Sequence, residues 1–317
     1  MKKIKGIICG TLLVAAMGCL CACSFSFVSN TNYTYKNGDK FTAGDREISD
    51  KIDTINIDYI SGDITLTGSN TSTISVKETA AKQLDDKRKV HTWVDGSTLY
   101  VKYCASAKNL DLNKLDKKLN ITIPENVNLS DLSIYVSSAD VHCSNFTADS
   151  VKYDASSGDL DLDCVSKKTD ATASSGAVNI KQTGDCDDIS VNTSSGKIGI
   201  DVENATNVKA SASSGDITIN AKSIQKLDTD TSSGEKVIRL YETPENTNIQ
   251  ASSGDVKIYL PEKSDITGNF SFSSGNLSYD LPFSKDGDKY ICGNGKNQMK
   301  ITTSSGDIDI KVIDSEK

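Results

Sequence analysis

Five acidic residues stand at equivalent positions of a recurring motif. Asp140, Asp159, Asp216, Glu235 and Asp255 each follow a Ser-Ser-Gly or Ser-Ser-Ala triplet. Carboxylates repeated at one position of stacked units would lie about 4.8 Å apart. Like charges at that spacing repel unless water or a cation lies between them. Asp140, Asp159, Asp216 and Asp255 are therefore the candidate metal ligands. Ala177, Lys197 and Asn276 interrupt the series, and the pattern differs from the Gly-Gly-x-Gly-x-Asp of calcium-binding β-helices. Acids beside a glycine corner are already accounted for by turn chemistry. No metal site and no cofactor is assigned.

Other chemistry is sparse. The two histidines, His91 and His142, rule out a His-rich metal site. Neither belongs to a Ser-His-Asp or Cys-His pattern, so no catalytic residue is assigned. Asp clusters with a basic residue cleave acidic polysaccharides on some β-helical proteins, so a carbohydrate-active enzyme stays open. Of nine cysteines, Cys9, Cys19 and Cys21 precede Cys23, leaving Cys104, Cys143, Cys164, Cys186 and Cys292. Cys143 and Cys164 share the inward parity but stand a diagonal of about 7–8 Å apart, beyond easy disulfide reach. They are expected to be small buried hydrophobes. Spacing does not decide the state of Cys104, Cys186 or Cys292. Trp93 is expected to pack rather than to form a sugar platform.

The elements that position these residues come from a repeat. Corner residues Ala139, Gly158, Gly176, Gly196, Gly215, Gly234, Gly254 and Gly275 are separated by 19, 18, 20, 19, 19, 20 and 21 residues. A fixed period near 20 means stacked units. Apolar residues fall two and four places after the glycine, as in Leu160 and Leu162, Ile198 and Ile200, and Ile217 and Ile219. The residues between are mostly polar, which is strand alternation with one buried face. Three places before the glycine the residue is small, except at Phe272. Each unit is thus strand, corner, strand. Gly permits a corner of positive φ, and Ser hydroxyls can bond nearby backbone. Gly62, Gly158, Gly176, Gly196, Gly215, Gly234, Gly254, Gly275 and Gly306 are the structural turn residues. The expected fold is an all-β single-domain β-solenoid with repeats of about 20 residues.

Residues 1–22 have the form of an export signal, with Lys2, Lys3 and Lys5 before a mainly apolar run. That run is too short for a confident spanning helix. Leu20-Cys21-Ala22-Cys23 resembles a bacterial lipobox, which implies lipidation of Cys23 as the mature N-terminus. Without the signal, thirty-two basic residues face forty-three acidic ones, and the formal charge moves from −8 to −11. Such a chain is poorly suited to nucleic acid or anionic lipid surfaces. Polar residues 23–50 are expected to form a flexible tether. Residues 51–317 are expected to form one repeat domain, starting near Ile52.

Within that domain Ser61-Gly62-Asp63 is an early corner, and residues 80–90 form a short helix or a loop. Asp95-Gly96 closes a hairpin over 90–103, and a polar loop spans 105–118. Lys236 breaks the apolar position after Gly234, so a bulge is expected there. Residues 283–297 protrude, and the copy around Gly306 closes the fold.

The lipobox, the strand ends Ile121-Thr122-Ile123-Pro124 and Ile258-Tyr259-Leu260-Pro261, the serial Ser-Ser-Gly-Asp corners and the closing Thr303-Ser304-Ser305-Gly306-Asp307-Ile308 carry a resemblance. Over about residues 50–313 the chain resembles the bacterial "putative adhesin" domain-of-unknown-function family of β-strand-repeat lipoproteins. The resemblance implies a right-handed parallel β-helix-like fold at the cell surface and carries no catalytic residue across. Address, shape and resemblance favour a non-enzymatic adhesin or envelope scaffold. It would be extracytoplasmic, lipid-anchored to the bacterial cell envelope, and partnered by envelope or host glycans or proteins rather than nucleic acid. An envelope-stress accessory protein working through a membrane partner is the other alternative. A groove of clustered acids with a basic residue would favour the enzyme. Exposed aromatics on the N-terminal hairpin would favour the accessory protein.

Overall fold

The structure is a computed structural model and describes residues 31–313. The expected signal segment and Cys23, the expected lipidation site, lie outside the described residues. The described chain is nearly all strand, with one 3-10 turn at Gly38–Lys40 and no α-helix. Among the described residues no helix is long and apolar enough to cross a membrane.

The architecture is a solenoid-like parallel stack. The strands Asn128–Ser157, Leu160–Ala173, Val178–Thr193, Ile198–Ala212 and Ile217–Ser233 pair in chain order. Equivalent residues sit directly beside one another: Val141, Leu160, Val178, Ile198, Ile217 and Lys236 form one row. The coils turn at their Ser-Ser-Gly corners, and the ladder slips in register at residues 144–146, 164–168 and 182–185. The inward parity is buried throughout, with Leu160, Val178, Ile198, Ile217, Val256 and Ile308 at most 1% exposed. No coil could bury that row alone; the neighbour above and below covers it, so stacking and core formation are one event.

Coil order departs from chain order at both ends. Strand Thr54–Ser69 has Asn128–Ser157 on one side and the later segments Thr98–Lys102 and Lys118–Pro124 on the other. At the far end, Asn246–Ser253 pairs with Asn297–Ser305, which pairs in turn with Ile266–Ser274. The Gly306 copy therefore does not close the stack. It is inserted between the coils of Gly254 and Gly275, and the Gly275 coil is outermost. The excursion that permits this is a hairpin, Ser284–Asp286 with Lys289–Cys292, paired back onto residues 266–268.

Three other expectations are corrected. The described part of the tether is folded: Thr31–Tyr33 pairs with Ala107–Leu110, Thr42–Ala43 with His91–Asp95, and Arg46–Ile48 with Ile74–Thr79. Tyr33 and Ile48 are buried there; a few well-spaced apolar anchors outweigh the polar average. The polar loop over 105–118 holds the strand Ala107–Leu110 and the buried Leu115 and Lys117. Lys236 makes no bulge. The ladder runs unbroken from Lys236 to Leu240 against Ile217 to Ala221, and the lysine points inward. The hairpin around Asp95-Gly96 forms as expected, His91–Asp95 against Thr98–Lys102, and residues 80–90 are a loop.

Candidate functional site

The corners stack backbone on backbone. Gly62, Gly158, Gly176, Gly254, Gly275 and Gly306 have φ between +110 and +151, which disfavours any side chain. Gly196 and Gly215 are different. Their φ lies outside that region, but a Cβ on Gly215 would overlap the Gly196 carbonyl oxygen, and one on Gly196 the Gly176 oxygen. Close approach, not a left-handed backbone, requires glycine at these two. Apart from the buried Ser137, the corner serines are exposed or half-exposed. Their amides continue the ladder, Ser174 N–H to Ala155 O and Ser175 N–H to Ser156 O, both 3.0 Å.

The four candidate metal ligands are occupied along the same axis. Asp140 Oδ1 accepts from the Asp159 amide at 3.0 Å, Asp159 from Ala177 at 2.7 Å, Asp216 from Glu235 at 3.1 Å and Asp255 from Asp307 at 2.9 Å. Each acid bonds the N–H of the equivalent residue one coil on. That link needs no cation, and it tolerates Ala177 because only the amide is used. Among the described residues no group of three or more His, Cys, Asp or Glu is placed to hold a metal.

Two grooves cross the coils on the outward parity. The smaller, about 390 Å³, is acidic: Asp161, Asp163 and Asp201 against Lys181 and His142. His142 Nδ1 lies 3.0 Å from Asp161 Oδ2, and Lys181 Nζ lies 2.9 Å from Asp163 Oδ2. Asn179 Nδ2 donates to Asp161 Oδ1 at 2.9 Å. The larger, about 630 Å³, crosses residues 207–209, 226–228, 246–248, 267–269 and 298–300 near the far end, with Lys289 of the hairpin at its rim. It gathers Lys209, Lys226, Lys289 and Lys300 around one acid, Asp228. Asp228 is engaged, accepting from Asn248 Nδ2 at 3.0 Å. Composition hid this groove, because an acidic chain can concentrate its lysines; the row Lys209, Asp228, Asn248, Lys300 emerges only once the coil order is known.

The opposite end holds a buried polar cluster that periodicity could not reveal. Lys117 Nζ lies 2.7 Å from Glu78 Oε1, with side-chain exposures of 0% and 4%. The ammonium also donates to Arg88 O at 2.7 Å and to Tyr103 O. It stands 4.1 Å from the Tyr103 ring centroid. Tyr59 Oη donates to Glu78 Oε1 at 2.8 Å and the Val90 amide to Oε2 at 2.9 Å. Burial draws Lys117 below the ordinary lysine range, and Glu78 opposes that shift. Glu78 also borders an open cavity of about 340 Å³ beside Asp45, Lys82 and Lys89, but both its oxygens are engaged within the cluster, which serves as a structural cap. Trp93 packs on this side too, stacked on Tyr100 at 5.4 Å and tilted against Phe41 at 5.6 Å. The aromatics of the N-terminal hairpin are half-buried; the exposed ones are Tyr241, after the strand Lys236–Leu240, and Phe272 and Tyr279 on the outermost coil at the far end.

All five described cysteines are free and buried. Burial raises the thiols of Cys104 and Cys164 to about 12 and that of Cys186 to about 11. Such groups are poor nucleophiles and metal ligands. His91 is buried beside Lys89 O at 2.9 Å, far from the acids of either groove.

Comparison with known proteins gives a family and distant structural relatives. The family model described as Toastrack DUF4097 matches residues 52–311. No curated protein matches the chain. A solved structure titled "putative adhesin", from Parabacteroides distasonis, is 14% identical. It aligns over 85% of this chain and 97% of its own, with a TM-score of 0.43. Another from that organism, titled "putative lipid binding protein", is 15% identical over 86% and 97%, with a TM-score of 0.39. A "putative adhesin" from Bacteroides fragilis is 14% identical over 85% and 96%, with a TM-score of 0.34.

Proposed function

The chain belongs to the Toastrack DUF4097 family, and from that premise we propose that it is a non-enzymatic binding protein of the bacterial cell surface. It would be held to the envelope by a lipid on Cys23 and would act as an adhesin or envelope scaffold, on a right-handed coil. One observation carries this reading: the coils present outward-facing polar rows in fixed register, crossed by an open groove. Side chains one coil apart repeat at about 4.8 Å, which suits an extended ligand meeting many weak contacts in series. The corner acids, occupied by backbone amides, add rigidity and not reactivity.

The test incubates the purified mature chain with isolated envelopes, envelope polysaccharides and host-type glycans, with and without calcium. Retention without product release is expected. Labelled fatty acid should enter the wild type in cells and not Cys23→Ala; labelling that survives removes the anchor.

A second reading, a carbohydrate-active enzyme, is favoured by the acidic groove, where Asp201 stands near the Lys181–Asp163 pair with no ion pair of its own. Two of its three carboxylates are held by His142, Asn179 and Lys181, which leaves no free acid–base pair. Reducing-end or unsaturated products that vanish in Asp201→Asn would establish the enzyme and displace the adhesin.

A further inference from the structure

We propose that the large groove binds an extended glycan bearing carboxylates, and that Lys226 and Lys300 are its main anionic contacts; the inference rests on the surface-binding reading above. Ten other lysines of the described chain lie within 4 Å of an acid: Lys77, Lys89, Lys102, Lys117, Lys118, Lys167, Lys181, Lys197, Lys257 and Lys311; fourteen more have no such partner, so it is the gathering of four in one groove that sets these apart. None of the four groove lysines forms such a pair. The one acid among them, Asp228, is taken by Asn248. A protein of formal charge −8 thus gathers four unpaired positive charges in one groove, at a cost in mutual repulsion. An anionic occupant removes that cost, and low-dielectric walls sharpen the field it meets.

The spacing says what kind of anion. Lys209 and Lys300 share one row, three coils apart, or about 14 Å. Lys226 lies one row aside, beside Asn207 and Asn246. A single small anion does not match the Lys209–Lys300 separation, whereas a polymer with recurring charge does. Between the lysines the groove offers side-chain amides, Asn246 and Gln298 among them. An amide both donates and accepts, which matches sugar hydroxyls. No aromatic ring lines the groove, so the stacking platform that single-stranded nucleic acids use is missing. The strands beneath are paired on both sides, so an acidic peptide has no free strand edge to join there.

The experiment measures binding of the full mature chain to polygalacturonate, dextran, dextran sulfate and a short DNA duplex, at two salt concentrations. The variants are the double Lys226→Glu, Lys300→Glu and a control, Lys108→Glu, on an exposed strand at the other end. Melting temperatures confirm folding. Polygalacturonate should bind, weaken with salt and weaken at least tenfold in the double variant, while Lys108→Glu leaves it unchanged. Dextran should not bind. Equal affinity for wild type and double variant overturns the site. Equal binding of dextran sulfate or DNA overturns the carboxylated-glycan class. Retention on isolated envelopes separates the two readings: retention by both wild type and double variant ends this inference alone, whereas no retention of the wild type ends the surface-binding reading as well.

Discussion

Lys117 in the N-terminal cap and Lys236 in the regular stack are both buried, at 1% and 0% exposure, but their surroundings differ. Lys117 has a carboxylate, two carbonyls and two aromatic faces. Lys236 has one carbonyl, Gln250 O at 2.6 Å, and sits in a row of Ile217, Val256 and Ile308. Burial pulls it down to about 8, against the attraction of Asp230. The difference follows from how each region is built. A stack provides for a polar group only what the next coil repeats. The corner acids succeed because every coil has an amide at that place; an inward lysine fails because every coil has an aliphatic there. The cap is assembled from unrelated segments and can bring Glu78, Arg88, Tyr59 and Tyr103 to one ammonium.

The strongest way to break this contrast is to unpair the cap. Glu78→Gln should cost about 3–5 kcal/mol, because a buried charge is left without its counter-ion; urea unfolding measures it. A loss under 1 kcal/mol would mean that the two lysines are equivalent. Next comes pH. Below about pH 8 Lys236 is charged in the folded and unfolded chain alike. Between 8 and 10.5 the unfolded chain holds more protons, so stability rises with pH. The gain attributable to Lys236 is up to about 3 kcal/mol. Lys236→Met should lose this rise and be more stable than wild type at pH 7; an unchanged slope assigns it to other groups.

The corner prediction probes the stack itself. Gly215→Val, which must push into the Gly196 backbone, should cost about 1–3 kcal/mol as overpacking, while Thr218→Val on the outward parity should be near neutral. Equal melting temperatures would remove the backbone-contact argument. The smallest effect is Asp216→Ala, which frees the Glu235 amide of its partner and should cost roughly 0.5–1.5 kcal/mol. A flat result would make the inter-coil acid links decorative.

The stack was legible because its cause is local. Glycine at a fixed place and apolar residues at +2 and +4 announce corner and strand, and Leu160 or Ile198 could be assigned to the core without coordinates. The positive φ expected of the corner glycines is not what requires glycine at Gly215; the Gly196 carbonyl is, and alternation carries no sign of a carbonyl across the coil. Pattern marks Lys236 as a break because it treats a charge as solvent-facing. The cap was not legible: Glu78 and Lys117 are thirty-nine positions apart and belong to no period. The lysine groove needed the coil order, and the Gly306 copy looks like any other; only the 31-residue gap before it hinted at an excursion.

That excursion bears on the order of assembly. In a simple repeat array each unit docks on the one made just before it, and folding spreads by short steps. Here residues 266–279 have no coil to dock on until 297–312 have settled beside Asn246–Ser253. The outer coil must wait, with Phe272 and Tyr279 uncovered, for chain that follows it. A chain cut at residue 296 would lose two coils where it is missing one, and would carry the unhoused one as a sticky end. Completion of this end is therefore an all-or-none event within an otherwise incremental molecule.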